Sequence, residues 1–164
     1  MKASISLILL LVSLFTFSQD VEHIKMVAYN KPIVKVEING KKAYFLIDTG
    51  ADISVINSGS IEKYGLEEAK VYTNSVRAIS FNGHTSQVMK VKNANLVLAE
   101  NFDHKDFFSM NLNNLRDVIE AKTDIRITGI LGADLLLKYH CIIDYSQRQI
   151  TMVNGRSKKH LASR

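Results

Sequence analysis

Two Asn-Gly pairs, Asn39-Gly40 and Asn82-Gly83, each lie between runs of residues suited to extended backbone. A two-residue turn of this kind needs positive φ at both positions, which asparagine and glycine tolerate, and its twist matches that of paired strands. Residues 33–38, carrying Ile33, Val34, Val36 and Ile38, and residues 41–47, carrying Ala43, Phe45, Leu46 and Ile47, are therefore expected as one hairpin. Residues 76–81 and 84–89 are expected as a second. Further strands are expected over 95–99, 127–132, 141–144 and 149–153. Helices are confined to short pieces. One spans 60–64, capped by Ser60 and stopped by Gly65. A second spans 111–122, where Leu112, Leu115, Val118 and Ile119 recur at helical spacing, and a third spans 134–139. Residues 101–109 read as irregular and aromatic-rich. The chain is mainly β.

With 164 residues, 46% hydrophobic and 23% charged, the sequence has the composition of one globular domain that can bury its own core. Residues 1–18 stand apart from it. Lys2 precedes an apolar run over 5–17, and Thr16 and Ser18 are small residues placed for a cut ahead of Gln19. That is the layout of a secretory signal peptide. The run is short for a bilayer span, so the expectation is export, to a periplasm or the exterior, with no stable membrane span once the signal is removed. An uncleaved signal would leave the protein anchored. Residues 19–31 form a polar arm, 32–154 the domain, and 155–164 a tail. Much of the formal charge of +5 lies in that tail, in Arg156, Lys158, Lys159 and Arg164. No aromatic residue interleaves it, which argues for a solvated tail and against nucleic acid as a partner.

Several chemistries are excluded. Cys141 is the only cysteine, so no intrachain disulfide forms, and its apolar surroundings mark it as a core residue. His23, His84, His104, His140 and His160 show no ligand spacing, and no metal site is expected. No phosphate loop, nucleophilic-serine elbow or dinucleotide fingerprint is present, and no cofactor is expected. Asp134 reads as an acid at a helix N-terminus and Asp144 as a turn former.

One acid differs from these. The apolar strand Tyr44-Phe45-Leu46-Ile47 runs into Asp48-Thr49-Gly50-Ala51-Asp52, and an apolar stretch resumes at Ile53. Small residues directly after Asp48 permit a tight loop that holds the carboxyl in place, and Gly50 leaves room for another backbone to approach. This segment resembles the active-site loop of retropepsin-like aspartic peptidases: two apolar residues followed by Asp-Thr-Gly-Ala. The residues around it keep the order of that family. Ile33 to Gly40 resembles the preceding hairpin, the hairpin about Asn82-Gly83 stands where the family has its flap, and Ile130-Leu131-Gly132 resembles its apolar-apolar-Gly segment. The likeness extends over residues 33–153.

The resemblance implies a retropepsin-like closed β-barrel lobe with a flap hairpin and a few short helices. It implies an aspartic endopeptidase in which Asp48 is catalytic, supported by Thr49, Gly50, Ala51 and Asp52. Ile79, Phe81, Asn82 and Gly83 would belong to the flap and meet substrate, with Phe45 and Ile53 as further wall residues. The substrate would be a peptide or protein in extended form. Because Asp-Thr-Gly occurs once and the chemistry needs two carboxyls, the resemblance implies a homodimer with one Asp48 from each copy. The sequence departs from retroviral members in having Ala133 where they carry an arginine that pairs with the aspartate matching Asp52. Residues 100–126 read as an insertion relative to them. Two other readings are compatible with the residues: a catalytically inactive peptide-binding or dimerisation module, and an enzyme completed by a different chain.

Overall fold

The computed structural model describes residues 21–70, 77–79, 85–99 and 102–153. In chain order the strands are β1 (Val21–Lys25), β2 (Ile33–Ile38), β3 (Lys41–Ile47), β4 (Val55–Asn57), β5 (Glu67–Lys70), β6 (Arg77–Ile79), β7 (Thr85–Gln87), β8 (Met89–Lys92), β9 (Leu96–Val97), β10 (Asp103–His104) and β11 (Phe107–Met110). Helix α1 (Asn113–Thr123), β12 (Gly129–Leu131), helix α2 (Ala133–Lys138), β13 (Ile142–Asp144) and β14 (Gln149–Val153) complete the chain.

The first hairpin forms as the sequence dictates. β2 and β3 pair antiparallel from Ile33↔Leu46 to Ile38↔Lys41. Asn39 and Gly40 turn the chain with φ of 50° and 74°, the positive pair that this turn requires. The Asn39 amide also donates to the carbonyls of Tyr64 and Asn93 and accepts from the Asn95 N–H. The turn is thereby tied to its surroundings. Along β2, Val34, Val36 and Ile38 are buried while Lys35 and Glu37 face out, the period-two pattern of a sheet with one buried face.

Nine strands join in the order β10-β9-β2-β3-β12-β4-β11-β8-β5, with β10 and β5 at its edges, and three more in the order β1-β14-β13. β6 and β7 pair with each other as a separate hairpin. The fold is mainly β with short helices, as expected; among the described residues the nine strands run as an open order and not as a hydrogen-bonded ring. The main core gathers Val36, Ile38, Phe45, Ile56, Phe107, Leu131 and Ile150, with the rings of Phe45 and Phe107 tilted against each other at 6.4 Å. A smaller cluster of Ile33, Leu46, Ile119 and Ile127 lies under α1.

Four expectations are corrected. Residues 101–109 are not all irregular, because β11 lies inside the main sheet, parallel to β4 and antiparallel to β8. A four-residue strand whose partners are distant in sequence leaves too short a local pattern to register. The stretch read as an insertion thus supplies an interior strand. The turn over 58–64 consists of two 3-10 turns, and Asn57, not Ser60, caps the first. In α1 only part of the apolar stripe is covered: Ile119 is buried and Val118 faces solvent, since the helix begins after Leu112 and its inner face follows Leu115 and Ile119. Phe45 is fully buried in the core and lines no wall.

Cys141 packs partly against the main core, and burial pushes its thiol up to about 11. The folded protein keeps this proton at pH values where the unfolded chain releases it. The contribution to stability is therefore complete below the unfolded thiol's range and is lost as pH rises through about 11. At pH 8 the native thiol is expected to react with a maleimide at least about tenfold more slowly than in urea-unfolded protein. Equal rates would contradict the burial.

Candidate active site

Asp48 follows the last residue of β3, and Ser54 precedes the first of β4; the loop between them is short because one strand holds both ends. β12 enters between β3 and β4, parallel to the former (Gly129↔Phe45 to Leu131↔Ile47) and antiparallel to the latter (Gly129↔Ile56, Ile130↔Val55). The ladder continues one residue before β12, where the Thr128 N–H donates to Tyr44 O at 2.7 Å and its carbonyl accepts from the Asn57 N–H at 2.8 Å. Beyond β12 the Asp48 N–H donates to Leu131 O at 3.0 Å. The base of the acid is thereby fixed to the sheet.

The carboxyl is fixed as well. Asp48 Oδ1 accepts from the Gly50 N–H at 2.9 Å, and Asp48 O accepts from the Ala51 N–H at 3.2 Å. Asp48 is half-buried, whereas Thr49 and Gly50 at the tip are exposed. The loop presents its Asp-Thr-Gly edge outward from a rigid floor.

Gly132 forms the other side of that floor. A Cβ there would lie 2.7 Å from the carbonyl oxygens of both Ala51 and Ile53, so the close approach of the two backbones admits only glycine. Around it the segments are laced together: Ala133 N–H to Ala51 O at 2.7 Å, Asp134 N–H to Asp52 O at 3.2 Å, and Gly132 N–H to Ser54 Oγ at 2.8 Å. Asp134 closes the set, accepting from Ser54 N–H at 3.0 Å and from Ser54 O–H at 2.6 Å.

Of the residues singled out in the sequence, Asp48, Thr49, Gly50, Ala51, Asp52, Ile130, Leu131 and Gly132 come together here. Asp52 is exposed and takes part through its carbonyl, while Ala133 takes part through its N–H. Ile53 is half-buried beside Ala51. Ile79 lies on β6, opposite Thr85 of β7. Phe81, Asn82 and Gly83 fall outside the described residues, as does the turn of the expected flap. Ser54 and Asp134 were missed as site residues. Asp134 does meet the start of α2, since its Oδ1 accepts from the Leu135 N–H at 2.8 Å, but the same carboxylate also grips the loop. The local sequence signals only the helix terminus, because the bond to Ser54 spans 80 positions. Among the described residues no group of His, Cys, Asp and Glu is arranged to hold a metal ion.

Chemically, the arrangement offers a carboxyl on an exposed loop edge, held through one oxygen by the Gly50 amide. A carboxylate so placed can take a proton from water, and a carboxylic acid so placed can give one to a carbonyl; one group cannot do both at once.

A family profile described as "gag-polyprotein putative aspartyl protease" matches residues 34–138, well over half of the chain. Among solved structures, EIAV protease complexed with the inhibitor HBY-793 is similar at 18% identity and a TM-score of 0.48, over 66% of this chain and 88% of that one. The retroviral protease-like domain of Ddi1 from Leishmania major is similar at 17% identity and a TM-score of 0.49, over 74% and 87%. A retropepsin-like aspartic protease from Rickettsia conorii is similar at 17% identity and a TM-score of 0.46, over 85% and 95%. A search of curated proteins returns no match.

Gly132→Ala is expected to lower stability by about 2 kcal/mol, the range for overpacking against unyielding backbone, read as a lower urea midpoint at unchanged slope. Amide exchange at Ala133 should quicken at the same time, because its bond to Ala51 O cannot survive the displacement. A variant with wild-type midpoint and exchange would refute the close approach.

Proposed function

Because this chain belongs to the gag-polyprotein aspartyl protease family, we propose that it is an endopeptidase whose catalytic pair is Asp48 and the Asp48 of a second copy. The observation that carries this reading is the fixed carboxyl of Asp48 beside an exposed Thr49-Gly50 tip. The acid on the adjoining segment, Asp134, has its oxygens committed to Ser54. In this reading the second carboxyl comes from another molecule, and a two-fold axis through the loop tips would supply it from the same residue.

Two aspartates side by side share one proton, since both cannot ionise at that separation; this is the established behaviour of aspartic proteases. The ionised member takes a proton from water, whose oxygen attacks the scissile carbonyl. The protonated member gives its proton to the carbonyl oxygen. Collapse of the tetrahedral species breaks the C–N bond, with a proton passed to the leaving amine. The β6–β7 hairpin supports a flap over an extended peptide, whose main chain would pair by strand addition.

Self-association has surface to use. The outer edge of β13 carries no strand among the described residues; Ile142 on it is 59% exposed, and Leu137 on α2 is 74% exposed. An apolar edge of this kind favours pairing with another chain. The reading includes export directed by residues 1–18; no helix among the described residues is long and apolar enough to cross a membrane.

Asp48→Asn is expected to lower peptide hydrolysis by about 10²–10⁴-fold or more while the urea midpoint stays near wild type. Mixing wild type with an equal amount of this variant, followed by subunit exchange, tests the shared site. Random pairing leaves about one quarter of dimers with two Asp48 carboxyls, against the roughly one half of activity that self-sufficient monomers would keep. Full activity of Asp48→Asn would overturn the assignment, and retention of half in the mixture would overturn the shared pair.

A further inference from the structure

The geometry points to Asp134 as a positioning residue for the Asp48 loop, acting through Ser54, an inference that rests on the proposed catalytic role of that loop. Three donors converge on the Asp134 carboxylate: Ser54 N–H at 3.0 Å, Ser54 O–H at 2.6 Å and Leu135 N–H at 2.8 Å. A carboxylate has acceptors only, and it matches this set without leaving a donor facing a donor. Charge-assisted bonds of this type are stronger than neutral ones.

Ser54 is 1% exposed and commits both of its donors and its hydroxyl oxygen at this point. Its N–H and O–H go to Asp134, and its Oγ accepts from the Gly132 N–H at 2.8 Å. The hydroxyl is thus the link between the returning limb of the loop and the segment beneath it. On the limb itself, Ala51 accepts from Ala133 through its carbonyl and donates to Asp48 O through its N–H. A shift at Ser54 is passed through Ala51 to the backbone of Asp48.

A terminal-acid role at α2 makes a different demand. The helix has six residues, and its need would be met by the bond to Leu135 N–H alone, with no part for Ser54. The two roles separate on Ser54→Ala, which removes the hydroxyl and leaves the Leu135 contact in place.

The test compares Asp134→Ala, Asp134→Asn, Ser54→Ala and the double variant Asp134→Ala/Ser54→Ala in the full chain. Active sites are titrated with a tight-binding transition-state mimic so that turnover is counted per competent site. Asp134→Ala and Ser54→Ala are each expected to lower kcat by about 10- to 100-fold with KM nearly unchanged, the scale of a small misplacement of reacting groups. The double variant should lose little more than either single one, as two members of one network do. Asp134→Asn, which keeps one acceptor oxygen, should fall between Asp134→Ala and wild type. Amide exchange at Ser54 gives a second readout that needs no turnover, and its protection should fall in the Asp134 variants. Unchanged kcat and unchanged Ser54 protection in Asp134→Ala would overturn the inference, as would a Ser54→Ala variant indistinguishable from wild type. Should the wild-type protein cleave nothing and bind no mimic, the peptidase reading fails separately. Ser54 exchange then decides positioning alone: lost protection supports it, and retained protection overturns it.

Discussion

The insertion of β12 between β3 and β4 is the constraint from which the site follows. Those two strands are joined by the loop that carries Asp48, yet they do not pair with each other; a strand more than 70 positions later in the chain separates and binds both. A loop whose ends are clamped by one intervening strand has little freedom left. Its tip must cross the end of that strand, and the residue over which it crosses must be small. Gly132 meets that need. The rigidity of the carboxyl is thus a property of the sheet, and the loop's own sequence supplies only the ability to follow the path.

Much of this could be read from the residues, for reasons that are local. Asn39-Gly40 specifies a turn by its own backbone preference, and the alternation in β2 specifies which face is inward. The small residues after Asp48 specify a tight loop. Ile130-Leu131-Gly132 announces a buried strand that stops. What escaped was non-local. β11 is four residues long and takes its identity from β4 and β8, so residues 107–110 carry no periodicity long enough to stand out. Phe45 lies on the strand that leads to Asp48, and nearness in sequence suggested nearness to substrate. Its side chain instead points to Phe107 and the core, as the two-residue period of β3 requires. Asp134 is ambiguous by chemistry: an acid at a helix start and an acid gripping a distant serine look alike in one dimension.

The same distinction separates the parts of the functional reading. Asp-Thr-Gly and the segments that flank it are local signals, and they carry the family. The proposed pairing of two Asp48 carboxyls would be a relation between molecules, of which a single chain holds only its half: an outward loop tip and, among the described residues, a β13 edge that no other strand covers.

β4 joins these levels. It is three residues long, with the buried polar residue Ser54 just before it and buried Asn57 at its end. Ser54 binds the 132–134 segment on one side. Asn57 accepts from Leu112 N–H at 3.0 Å and donates to Asn113 Oδ1 at 3.0 Å, at the start of α1. Among the described residues no buried side-chain polar atom is left without a partner. A slip of β4 by one residue against β12 would strand both groups at once, at about 1–3 kcal/mol for each buried donor or acceptor left unmade, and would also turn Val55 and Ile56 to the wrong faces. Apolar residues alone would bury nearly as well in a shifted register. The polar ends forbid the shift. Since the loop runs directly into β4, the register that they enforce is the register in which Asp48 is presented, and precision at the carboxyl is inherited from hydrogen bonds that never touch it.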